Sequence, residues 1–166
     1  MKTAGAVLIL AFSLYAGLAA AWEEKRRVRT LEAFCRMLSA VKEEISVLRL
    51  PGKEIFSRFS DPFLEETGFL PAVRNARDPV KPLYEALTQP AVKRRLSLAK
   101  EEYETLLRFA EDFGSGDSVR ECARCDAALL PLGSALSKAG EDAPGNARIL
   151  RAVSMCGGIL LVLLLF

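Results

Sequence analysis

The chain has 166 residues, a length that suits one domain. It carries 23 Lys+Arg, 21 Asp+Glu and no His, so Ser-His-Asp and Cys-His catalysis, His-ligated zinc and an imidazole pH switch are all excluded. Between Glu23 and Ala152 the charges nearly cancel, which leaves no clustered positive field for a nucleic-acid backbone.

Apart from Lys2, the first 22 residues are uncharged. As a helix Ala4–Trp22 would reach about 28 Å, close to the hydrocarbon thickness of a bilayer. Trp22 stands where an interfacial aromatic belongs, and Lys25, Arg26, Arg27 and Arg29 follow it. Basic residues just beyond an apolar helix mark the cytoplasmic side, so residues 1–22 are expected to be a transmembrane anchor with Met1 outside. The rival is a signal peptide cleaved after Ala21, with Ala19-x-Ala21 as its small-residue site. The long apolar run and the basic cluster favour the retained anchor. Ser13, Gly17 and Ala21 form a small stripe of the kind that lets membrane helices approach, and Ala-rich sequence also produces it by chance.

From Leu31 the apolar positions Phe34, Leu38, Val41, Ile45 and Leu48 advance by threes and fours, with charges on the other faces. No breaker separates Trp22 from Glu23, so the first helix should run straight into this one and stop at Pro51-Gly52. A short helix is expected over Lys53–Phe59. Asp61-Pro62 supplies a cap and a first helical residue for the next. Pro71, Pro79, Pro82 and Pro90 keep the following helices brief. No segment alternates with a period of two, so no sheet is expected. Leu98–Phe113 reads as a helix with Ala99, Tyr103, Leu106, Leu107, Ala110 and Phe113 on one face. Gly114-Ser115-Gly116 breaks it. Asp117 or Ser118 caps a last helix carrying Val119, Cys122, Leu129, Leu132, Leu136 and Ala139, with Ser118-x-x-Glu121 fitting a capping box. Pro131 predicts a kink there, and Gly140, Pro144 and Gly145 an interruption. Val153–Phe166 is uncharged and reaches about 21 Å as a helix. With Arg148 and Arg151 at its near end it reads as a C-terminal membrane segment, the alternative being a buried core helix. The expected fold is therefore all-α: a compact cytoplasmic helical bundle over residues 23–152, tethered by segments 1–22 and 153–166.

Few residues offer chemistry. Cys122-x-x-Cys125 supplies two ligands where structural zinc needs four, and Cys35 and Cys156 are remote in sequence. It reads as two small residues one helical turn apart; a metal- or redox-active enzyme is the weakest reading. The pairs Glu23/Glu24, Glu43/Glu44, Glu65/Glu66, Glu101/Glu102 and Glu141/Asp142 point in different directions on a helix and read as solvated faces. Gly114-x-Gly116 lacks the strand and Lys of a phosphate loop. No catalytic residue, cofactor site or metal site is expected, and no small-molecule substrate. Arg74, Arg77, Lys93, Arg94 and Arg95 are candidates for partner contact as exposed charge alone.

The order of these features resembles the stage III sporulation AB family of endospore-forming bacteria, essentially end to end. The segments that carry the resemblance are GAVLILAFSLYAGLAAAW, RTLEAFCRMLSAVKEEISVLRLP, LLRFAEDFGSGD and MCGGILLVLLLF. Ala110 stands where the family pattern has Gly, and Gly116 where it has Ser. The resemblance implies a non-enzymatic subunit of the secretion-like channel between mother cell and forespore. It implies a membrane platform, similar to the cytoplasmic domain of type II secretion platform proteins, that engages a secretion-type ATPase (the sporulation AA protein) and other channel subunits. Its place would be the cell membrane of the mother cell, with the body in the cytoplasm. The alternative from another class is an exported helical protein whose signal peptide is lost and whose Cys122 and Cys125 form a redox pair.

Overall fold

A computed structural model describes residues 2–48, 55–56, 58 and 59–165, with side chains described at 15, 18–19, 21–47, 55–56 and 58–141. Among the described residues seven helices have defined bounds, in chain order: α1 (Lys2–Leu48), α2 (Pro62–Glu66), α3 (Phe69–Arg74), α4 (Pro82–Thr88), α5 (Pro90–Leu96), α6 (Lys100–Asp112) and α7 (Ser118–Leu165). There is no strand among the described residues. The chain divides into two compact units: Arg27–Ser137, and Met1–Arg26 together with Lys138–Phe166.

In the unit 27–137, α1 supplies the central seam. Leu31, Phe34, Leu38 and Val41 are fully buried and Ile45 nearly so; Ala33 and Met37 widen the stripe. Leu48, Lys53, Glu54 and Ser57 lie outside the described side chains, but Ile55 and Phe56 are helical and buried. α1 is described as far as Leu48, three residues before Pro51. Phe34 meets Phe69 of α3 edge-on, with centroids 5.0 Å apart. Phe56 meets Phe113 in the same manner at 5.6 Å.

The short helices are set by their first residues. Pro62, Pro82 and Pro90 each open one, where a missing N–H costs nothing. Pro71 falls in the first turn of α3, where its N–H would also have no partner. Gly68, at φ +83, turns the chain between α2 and α3 in a conformation glycine adopts freely. Asp61 caps α2, its Oδ1 accepting from the N–H groups of Phe63 and Leu64 at 3.0 and 3.1 Å. Its Oδ2 accepts from Arg36 of α1 at 2.8 Å. Burial pushes the Asp61 carboxyl up, but the Arg36 hydrogen bond and charge and the two backbone N–H groups outweigh it and hold the group below its ordinary 3.8. A depressed carboxylate stabilises the fold above its unfolded value and loses that contribution as pH falls through the folded one. Urea midpoints should therefore drop as pH falls below 3.8, and Asp61→Asn should flatten that part of the profile.

The last helix differs from expectation. α7 runs unbroken from Ser118 to Leu165, through Pro131 and through Gly140–Gly145. A proline ring crowds the carbonyl four residues earlier. For Pro144 that residue is Gly140, whose backbone yields most easily and which has open space around it. For Pro131 it is Ala127, and both lie on the exposed side, where a carbonyl can tilt toward water. The cap is Asp117, whose Oδ1 accepts from Arg120 N at 2.9 Å. Glu121 reaches back to Gly116 N at 2.8 Å, so the pairing differs from the Ser118 box. Val119, expected in the core, is 76% exposed, whereas Cys125, Ala128 and Leu132 are buried.

The unit 1–26 with 138–166 is built from the other ends of α1 and α7. Ala21 and Ala139 are buried in it; Tyr15, Leu18 and Trp22 are exposed. Among the described residues no helix is long and apolar enough to cross a membrane. Most of the apolar stretches 4–22 and 153–166, including Ser13, Gly17 and Cys156, lies outside the described side chains.

Candidate functional site

The three described cysteines, Cys35, Cys122 and Cys125, are all free thiols. Cys125 is fully buried, and burial, with the neighbouring Cys122, Glu121 and Asp126, pushes its thiol up to about 12. A thiol held protonated is neither a nucleophile nor a metal ligand. Cys122 is half-buried and its Sγ points at the Lys42 carbonyl at 3.9 Å. Cys35 is half-buried, and burial raises it too. No group of three His, Cys, Asp or Glu side chains among the described residues could hold a metal. Cys122 should accordingly alkylate at least about tenfold faster than Cys125 in the folded chain, read by mass spectrometry of iodoacetamide-treated protein.

The carboxylates divide. Glu43, Glu66, Glu101 and Glu141 are exposed, as expected of solvated faces. Glu102 is buried instead. Its Oε1 accepts from Arg27 Nη2 at 2.6 Å and its Oε2 from Ala99 N at 2.7 Å, the carboxylate half of a capping box on α6. Glu65 pairs with Arg74 at 2.7 Å. Lys42 pairs with Asp126 at 2.6 Å on the surface between α1 and α7. These links hold helices in register and leave no two carboxylates sharing a pocket.

The segment Phe113–Asp117, part of the signature-like LLRFAEDFGSGD, is a structural joint. Gly114 takes φ +89. Arg124 Nη1 donates to Asp112 O at 2.6 Å, Ser115 Oγ at 3.0 Å and Glu121 Oε1 at 2.6 Å. The turn between α6 and α7 is thus closed by one guanidinium and one carboxylate. Ala110, in the place of a family Gly, is buried.

The basic candidates separate in the same way. Arg74 is tied to Glu65 and donates to Phe59 O at 2.8 Å, so it holds the loop rather than offering free charge. Lys93 places its ammonium 4.4 Å from the Tyr103 ring centroid and stays exposed. Arg77, Arg94 and Arg95 are exposed, and none of them forms an ion pair among the described residues. A cavity of about 120 Å³ beside Arg74 and Asp78 is walled by Phe56, Val73, Pro79 and Pro82. It has room for one side chain and no reactive group.

What these residues define is an all-helical protein, knit by charge pairs across its helices, whose described residues form no metal-holding cluster. The chain belongs to the stage III sporulation protein AB family, whose model matches residues 2–166. It is 27% identical over 180 residues to stage III sporulation protein AB of Bacillus subtilis (strain 168), covering 99% of each chain. No solved structure matches it. Membership of this family gives the protein a role in sporulation.

Proposed function

We propose that this chain is a non-enzymatic platform subunit of the channel apparatus between mother cell and forespore. In this reading segments 1–22 and 153–166 hold it to the mother-cell membrane, and the unit 27–137 faces the cytoplasm and engages a secretion-type ATPase. The family match over residues 2–166 carries the reading. The helical architecture and the absence of a reactive cluster among the described residues agree with a part that positions others. Arg77, Lys93, Arg94 and Arg95 are the residues through which an ATPase would be steered, since exposed charge sets encounter and orientation.

The test is co-purification of the sporulation AA ATPase with the tagged full chain from sporulating cells. Retention on the wild type and loss on a set with Arg77, Lys93, Arg94 and Arg95 each changed to Glu is the expected result. An ATPase absent from the wild-type eluate refutes the engagement. Topology is read separately: a Cys introduced at Lys25 should label with an impermeant thiol reagent only after the membrane is opened, and Met1–Trp22 should persist in the mature chain.

A further inference from the structure

Two surfaces of opposite sign adjoin on the unit 27–137, and among the described residues neither is balanced by close ion pairs. The last turn of α5 presents Lys93, Arg94 and Arg95, all exposed. Lys93 rests on Tyr103, which brings this turn against the flank of α6. The outer side of α6 carries Glu101, Glu104, Glu111 and Asp112 against two bases, Lys100 and Arg108, and all six are exposed. They lie opposite the buried face of Glu102, Leu106, Phe109 and Ala110. The one ion pair on this side, Lys100 with Glu104, spans 3.9 Å between side chains that are mostly in water, and contributes little. Basic and acidic residues between Arg27 and Ser137 are equal in number, so each patch is a local field and not a reflection of net charge.

We propose that this double surface docks on a second copy of the chain, in a two-fold contact that lays the α5 turn of each protomer on the α6 acidic side of the other. A two-fold contact requires a patch complementary to itself, and adjoining surfaces of opposite sign meet that condition. An anionic membrane would satisfy the basic half alone and be repelled by the acidic half beside it. A second copy satisfies both at once. The contact is charged and solvated, so it is weak, orientation-setting and sensitive to salt. Nothing in it depends on an ATPase.

The experiment uses the full chain in detergent micelles, co-expressed with two different tags, and reads co-purification of one tag with the other. One variant carries Lys93→Glu, Arg94→Glu and Arg95→Glu; a second carries Glu101→Lys, Glu104→Lys and Glu111→Lys. Each variant alone should lose association by about tenfold or more, and the two variants mixed should recover it. Far-UV circular dichroism establishes that each is folded; Arg94→Ala with Arg95→Ala, which adds no like charge, should weaken association in the same direction. Wild-type association should fall as salt rises. Variants that associate as the wild type does, or a mixed pair that fails to recover, overturn the proposal. So does a basic-turn variant that loses only its binding to phosphatidylglycerol vesicles, which would make the face a lipid contact.

Discussion

Phe34→Ala should lower the unfolding free energy of the protein by about 3–5 kcal/mol. The side chain is fully buried at the middle of the α1 seam and stands edge-on to Phe69 at 5.0 Å. Truncation removes the transferred apolar area, leaves a cavity that short, proline-started helices cannot easily collapse into, and forfeits about 0.5–1.5 kcal/mol of ring–ring attraction. Because α3 is only six residues long, it has little helical stability of its own and relies on packing to stay formed. Urea unfolding followed by far-UV circular dichroism should show a lower midpoint at an unchanged slope. Val119→Ala is the control: the side chain is mostly in water, and the change should stay within about 0.5 kcal/mol. A Phe34→Ala loss as small as that of the control would mean that the seam is not the core.

The seam itself was legible in the sequence. Its period repeats five times with no breaker, and charges fill the remaining angles, so phase and length reinforce each other. The same logic weakens where an element offers one apolar residue per turn. Val119 is one of the apolar residues of α7 yet lies in solvent, because the phase of the helix is set further along by Cys125, Ala128 and Leu132. On α6 the expected face included Tyr103 and Leu107; the buried one is centred on Glu102, Leu106 and Phe109. The displacement has one cause. Periodicity counts a glutamate as solvent-facing, and the partner that lets Glu102 turn inward is Arg27, 75 residues away. Breaker arithmetic failed at Gly140 and Pro144 for a related reason. Each residue opposes a helix singly, but at a spacing of four the carbonyl that a proline disfavours belongs to a glycine, the residue whose backbone yields most easily.

Partner-facing charge was legible as a set of residue types and illegible as a set of free groups. The sequence places Arg74 beside Arg77, and the fold assigns the first to Glu65 and the Phe59 carbonyl while leaving the second in solvent. The segment LLRFAEDFGSGD carries part of the family resemblance without saying what it does. Its work is local: the left-handed Gly114 and the Arg124–Glu121 clasp close the joint between α6 and α7.

Glu102→Ala should destabilise the unit by about 2–4 kcal/mol, well beyond the loss for Asp126→Ala. Distance does not single it out, because Arg27–Glu102 and Lys42–Asp126 both close to 2.6 Å. Burial does. Glu102 is 6% exposed and Arg27 30%, whereas Lys42 and Asp126 are 40% and 52% exposed. In water the second pair is screened and contributes at most about 1 kcal/mol, so Asp126→Ala should shift the urea midpoint slightly. Removing Glu102 takes a carboxylate from a guanidinium that is partly withdrawn from solvent and, in the same step, leaves the Ala99 N–H at the start of α6 without its acceptor. Glu102→Gln separates the two losses, because its amide oxygen can still accept from Ala99 while the charge is gone; it should lie between wild type and Glu102→Ala. The double change Arg27→Met with Glu102→Met should cost less than Glu102→Met alone, since two apolar side chains leave no stranded charge. Equal losses for Glu102→Ala and Asp126→Ala in the same titration would show that desolvation does not set the strength of these pairs, and the ranking would fail.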